Sequence, residues 1–159
     1  MASLPRSYWK SLVLRRLGVD ESIAAALRQL VTARAHGRCE YCQSPEAYAT
    51  ERFSVEHIQP RTLQGPTVPA NLAPACQGCN GYKSAQTSSV DPETGETVEL
   101  FHPRRHIWRE HFTWSADGLR IVGLTPTGRA SVALLRINRP PLMNLRRALM
   151  AIGAHPPQG

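Results

Sequence analysis

Residues 71–83 read "NLAPACQGCNGYK", and residues 39–42 read "CEYC". These two stretches hold all four cysteines of the 159-residue chain, as two Cys-x-x-Cys pairs. No cysteine is left over and nothing in the sequence marks secretion, so a disulfide framework is not expected. Two such pairs suit a tetrahedral metal site made of Cys39, Cys42, Cys76 and Cys79. Zinc is the expected ion, because nothing in the sequence points to electron transfer. A rubredoxin-like iron centre is the rival, and colour would distinguish the two. Whatever lies between the pairs is clamped at its base.

The enclosed segment carries the chemistry. "RFSVEHI" (52–58) alternates Phe53, Val55 and His57 against Ser54 and Glu56, which predicts a strand. "QPRTLQGPTVPA" (59–70) has three prolines and a glycine and reads as a loop. "NLAPA" is a short extended segment leading into a helix from about Cys76 to Ala85. Asn80 and Lys83, three positions apart, share one face of that helix. If a strand pair packs against it, Glu56, His57, Asn80 and Lys83 converge. A carboxylate and an amide oxygen are hard ligands suited to Mg²⁺ or Mn²⁺. A histidine beside such an ion can take a proton from water, and a lysine can hold a phosphate. That set describes metal-assisted phosphodiester hydrolysis.

The order "CEYC … EHIQP … NLAPACQGCNGYK" resembles the HNH nuclease family, in its zinc-stapled subgroup. The resemblance covers residues 39–84 and implies roles position by position. His57 matches the general base that activates water. Glu56 matches the first ligand of the catalytic ion, where the family more often has Asp. Asn71 matches the middle asparagine that orients the base histidine by hydrogen bonding. Asn80 matches the last metal-binding position, which is His in the name-giving members. Lys83 matches a basic residue on phosphate, and the four cysteines match the zinc ligands.

Elsewhere the signals are structural. "DESIAAALRQLVTARAHG" predicts a helix capped by Asp20 and stopped at Gly37, with Ile23, Leu27, Leu30 and Val31 inward. A weak hairpin signal lies at Thr94-Gly95, and Asp117-Gly118 joins two predicted strands. "TGRASVALLRI" predicts a helix with Val132, Leu134 and Leu135 inward, and "PPLMNLRRALMAI" another, started by Pro140 or Pro141. Trp108 and Trp114 are expected in the core. The arginines of "PRR" (103–105) and "RR" (146–147) are expected to be solvated or on phosphate, and the tail "HPPQG" frayed. His102, His106 and His111 are spaced suggestively, but nothing fixes them as ligands.

The expected architecture is α+β: a ββα-metal (HNH) motif stapled by a Cys₄ zinc site, with flanking helices and a C-terminal hairpin plus helices. A basic arm at 1–20 precedes the HNH core with its preceding helix at 21–88. A C-terminal α/β extension at 89–154 packs on that core. Net charge is +7, from 19 Lys and Arg against 12 Asp and Glu, and only Lys10 and Lys83 are lysines. An Arg-rich basic chain suits a polyanionic partner, here DNA. No apolar run is long enough for a membrane span and the N-terminus lacks the features of a secretory signal, so a cytoplasmic location is expected. The expected activity is divalent-metal-dependent endonucleolytic cleavage of DNA. The alternative is a zinc-stabilised nucleic-acid-binding module without catalysis.

Overall fold

The structure, a computed structural model, describes residues 21–157. The basic arm at 1–20, the Asp20 cap and the side chain of Ile23 lie outside the described residues. Helix α1 (Glu21–Arg34) ends where His36 and Gly37 adopt positive φ, at 51° and 65°. Gly37 is thus the stop expected from the sequence, and its amide closes the last turn on Thr32 O at 3.0 Å. The inward face differs from expectation. Val31 and Ala35 are buried, Leu27 is half-buried, and Leu30 points outward. The helix is anchored by its C-terminal end: Arg34 donates to Pro69 O at 3.0 Å and Leu72 O at 2.7 Å. Only the face nearest that anchor is therefore covered.

The centre is a ββα unit. Strand β1 (Ser54–His57) pairs antiparallel with β2 (Leu72–Ala75), with Glu56 opposite Ala73 and His57 opposite Leu72. Every residue of β2 is buried, because the strand is packed between α1 and helix α2 (Gln77–Lys83). No extra turn separates β2 from α2. Cys76 is the N-cap, and its sulfur accepts the Cys79 amide at 3.5 Å. The helix ends at Lys83, slightly before the expected Ala85, because Ser84 takes φ 49° and breaks the helical path.

The C-terminal part is built of short elements. Strands β3 (Ser88–Val90) and β4 (Thr97–Glu99) form a hairpin turned at Gly95, whose φ is 74°. Helix α3 (Trp108–His111) leads into β5 (Phe112–Trp114), paired with β6 (Ile121–Gly123) across the Asp117-Gly118 turn. Helices α4 (Pro126–Leu134) and α5 (Pro140–Ala151) follow, each with proline in its first turn. One apolar cluster joins Cys39, Tyr41, Cys42, Phe53, Cys76 and Cys79 to Phe101, Phe112, Ile121, Leu135, Ile137 and Leu142. Trp108, Trp114 and Val132 pack against it.

Three expectations are corrected here. Leu134 is only half-buried, because α4 turns Ala130, Ser131 and Leu135 inward. Arg146 is not solvated but 1% exposed, hydrogen-bonded to backbone carbonyls and stacked over Trp114 at 5.1 Å. The tail is docked at His155, which is buried, bonds Gly118 O at 2.8 Å and meets the Trp114 ring edge-on. An imidazole with an apolar body and a polar edge suits this half-aromatic slot. Of the "PRR" arginines, Arg104 pairs with Glu40 and Arg105 with Glu99.

Candidate active site and metal centre

The four cysteines from the knuckle at 39–42 and the start of α2 meet in the interior. Their sulfurs all lie within 4.8 Å of one another, and Cys42 Sγ is 3.7 Å from Cys76 Sγ. A tetrahedral zinc with Zn–S bonds of about 2.3 Å sets its sulfurs about 3.8 Å apart. The donor set and spacing therefore fit a structural zinc. All four residues are buried, so the site has no open position for a substrate. Mutual hydrogen bonding with Cys39, Cys42 and Cys79 holds the Cys76 thiol well below the ordinary thiol range. The Cys76 cap thus starts α2 and at the same time places its sulfur in the cysteine cluster.

At the other end of α2 lies an open recess of about 370 Å³, lined by Glu56, His57, Arg61, Thr62, Asn80 and Ser84 among others. Three of the four groups expected to converge, Glu56, His57 and Asn80, border it. His57 and Glu56 are neighbours on β1 and so occupy opposite faces of the strand. The half-exposed imidazole bonds Thr67 Oγ1 through Nε2 at 2.8 Å. Partial burial, then the charges of Arg61 and Lys83, push the His57 pKa below the ordinary imidazole value.

Glu56 faces inward. Its carboxylate accepts a hydrogen bond from the Tyr41 hydroxyl and pairs with Lys83 Nζ at 3.2 Å. The two side chains of the ion pair are 4% and 2% exposed. Burial raises the Glu56 pKa, while Lys83 and Tyr41 oppose the rise. Lys83 also donates to Ile58 O at 3.0 Å. The phosphate contact expected of Lys83 is therefore not the arrangement found. A helix only seven residues long, packed flat on β1, brings position 83 under the strand, where the only favourable fate for an ammonium is a carboxylate and carbonyls.

Asn71 is buried, but its side chain makes no hydrogen bond to His57. Its Oδ1 accepts the Gln59 amide at 2.8 Å, and its Nδ2 donates to Gln59 O at 3.0 Å and Pro66 O at 2.9 Å. It ties the 59–66 loop down and thereby holds Thr67, the residue next to Pro66, against the imidazole. The loop passes so close that a Cβ on Gly65 would lie 1.8 Å from Gln59 O. Thr67 and Arg61 were not singled out from the sequence. Both lie in the loop after the Glu-His pair, and their proximity to His57 depends on how that loop folds back. His102 and His106 accept nearby backbone amides, and His111 bonds Thr125. Among the described residues, the four cysteines are the only metal-suited cluster of His, Cys, Asp and Glu. No described helix is long and apolar enough to cross a membrane.

Residues 39–86 match the family model described as HNH endonuclease, so the ββα unit with both cysteine pairs is an HNH domain. Searches of curated proteins and of solved structures gave no match.

Proposed function

We propose that this HNH domain is a divalent-metal-dependent endonuclease that hydrolyses DNA phosphodiester bonds, with His57 as general base. The observation that carries the reading is the shared recess: His57, Asn80 and Arg61 border one solvent-open hollow next to the buried, Lys83-paired Glu56 carboxylate, on a unit whose other end is closed by cysteines. The carboxylate of Glu56 and the amide oxygen of Asn80 are a hard-oxygen pair suited to Mg²⁺ or Mn²⁺. Such an ion would polarise the scissile phosphate and stabilise the leaving oxygen.

The chain's own groups supply the rest. The surroundings of His57 favour its neutral imidazole, which takes the proton of the attacking water. Thr67 fixes the imidazole ring, and Asn71 acts through the loop as a positioning residue. Lys83 holds the Glu56 carboxylate from beneath. The phosphate contact passes to Arg61, which is exposed on the same recess and presents a planar fork suited to phosphate oxygens.

The test is nicking of supercoiled plasmid across a Mg²⁺ and Mn²⁺ titration. His57→Ala is expected to cleave about 10²–10⁴-fold more slowly while keeping its fold, zinc and DNA binding. Asn80→Ala is expected to recover in part with added Mn²⁺, and Arg61→Ala to lose DNA affinity more than turnover. Cleavage by His57→Ala at the wild-type rate would overturn the mechanism. The buried Glu56–Lys83 pair favours a second reading, a binding module in which the carboxylate is permanently occupied. Wild-type protein that binds DNA but nicks with neither ion would establish it.

A further inference from the structure

Two arginines of the C-terminal region pose an electrostatic question. Arg146 is one of the largest fully buried side chains in the molecule. Its guanidinium donates to Leu119 O at 2.9 Å, Asn138 Oδ1 at 3.1 Å and Ile137 O at 3.1 Å, and its Nε has no partner. Arg139, the N-cap residue of α5, is half-buried, and its polar contacts are two carbonyls and two cysteine sulfurs. Among the described residues, neither arginine has a carboxylate within ion-pair distance, whereas Arg104, Arg105 and Arg129 each do. A buried cation without an anion is strongly unfavourable.

For Arg139 the group at hand is the cage. Zinc held by four thiolates carries roughly two excess negative charges. Arg139 Nη2 lies 3.3 Å from Cys76 Sγ, and Nη1 lies 3.9 Å from Cys79 Sγ. The fit depends on Gly78, where a Cβ would come within 2.3 Å of the Arg139 guanidinium. Burial works against the charge of each arginine. We propose that Arg139 is a counter-charge of the zinc-loaded cage, so that the start of α5 and the metal stabilise each other. The pairing is reciprocal: zinc is retained because Arg139 offsets its thiolate shell, and the half-buried guanidinium is tolerated because the shell is there. The proposal does not depend on whether the HNH domain cleaves DNA.

The experiment measures zinc loss from the full chain to a chromophoric chelator, beside thermal unfolding with and without chelation. Removing an outer partner of a metal ligand typically costs about 10–100-fold in metal affinity. Arg139→Gln is expected to shed zinc within that range more readily than wild type, and Arg139→Lys to stay near wild type because the charge is kept. Gly78→Ala, which displaces the guanidinium without removing it, is expected to resemble Arg139→Gln. Stripping zinc should lower the melting temperature of wild type more than that of Arg139→Gln, in which the cage has no guanidinium to offset. Equal zinc retention in Arg139→Gln and wild type would overturn the proposal. Equal loss in Arg139→Gln and Arg139→Lys would also overturn it, by showing that packing and not charge holds the metal.

Discussion

The two ends of helix α2 meet opposite demands. At its start, Cys76 and Cys79 turn sulfur into a closed interior with Cys39 and Cys42. At its finish, Asn80 borders a recess open to water beside His57. Soft ligands in a dry, fully occupied shell make a staple. The half-exposed His57 and Asn80 face solvent at the recess, as the proposed function requires. A helix of seven residues carries both because its termini face different neighbours: the knuckle and α5 at one end, β1 and its following loop at the other. The difference teaches that loss of the first site should act through folding and loss of the second through chemistry.

The largest effect that would break this contrast lies at the cage. Zinc in small structural sites supplies folding free energy on the order of 10 kcal/mol apparent. Cys76→Ser is therefore expected to lose the metal and unfold or aggregate, with metal analysis giving about one zinc per chain for wild type and far less for the variant. A zinc-free Cys76→Ser protein with the wild-type melting temperature would dissolve the distinction.

Lys83 sharpens it, because it sits at the chemical end but is buried like a structural residue. Lys83→Met leaves the Glu56 carboxylate in the interior without its cation. Breaking a buried pair by removing one partner costs about 3–5 kcal/mol, and urea unfolding should show a loss of that order. A lysine that merely touched phosphate would leave urea stability unchanged and alter only DNA affinity or cleavage, and that outcome would return Lys83 to the role its sequence position implies.

The smallest effect concerns the hairpin outside both sites. Asp91 accepts two hydrogen bonds from Arg129 on α4, at 2.8 and 2.7 Å, and others from Glu93 N and Thr94 Oγ1. The Arg129 bonds, foremost, hold its carboxyl well below the usual range. A carboxylate depressed in the folded state stabilises above its unfolded pKa, about 3.9 for Asp, and loses that contribution as pH falls below it. Thermal unfolding of wild type and Asp91→Asn should thus differ at neutral pH and converge in acid. The His57 recess should be indifferent to the substitution at neutral pH, and reduced cleavage by Asp91→Asn there would tie the hairpin to the site.

Much of this was legible because it depends on residue identity at fixed spacing. Paired cysteines, the Glu-His dipeptide and the Asn-Leu before the second pair name a metal cage and a ββα unit in any fold that closes them. The helix stop at Gly37 and the turn at Asp117-Gly118 were equally local, set by glycine's access to positive φ, which is 65° and 68° at the two sites. Where side chains point across long separations was not legible. Nothing in "GYK" distinguishes a lysine on phosphate from one buried under β1, and "EH" does not say that its carboxylate turns toward Tyr41. Thr67 reaches His57 only because Asn71 and Gly65 fold the loop back. Arg146 reads as a solvated helix residue until α5 is placed against Trp114 and the carbonyls of Leu119 and Ile137. The sequence by itself determined the paired cysteines and the order of the elements, which are short-range properties of the chain. The tertiary structure decided which charges are buried and which remain open to substrate, because desolvation is a property of everything packed around a group and not of its neighbours in sequence.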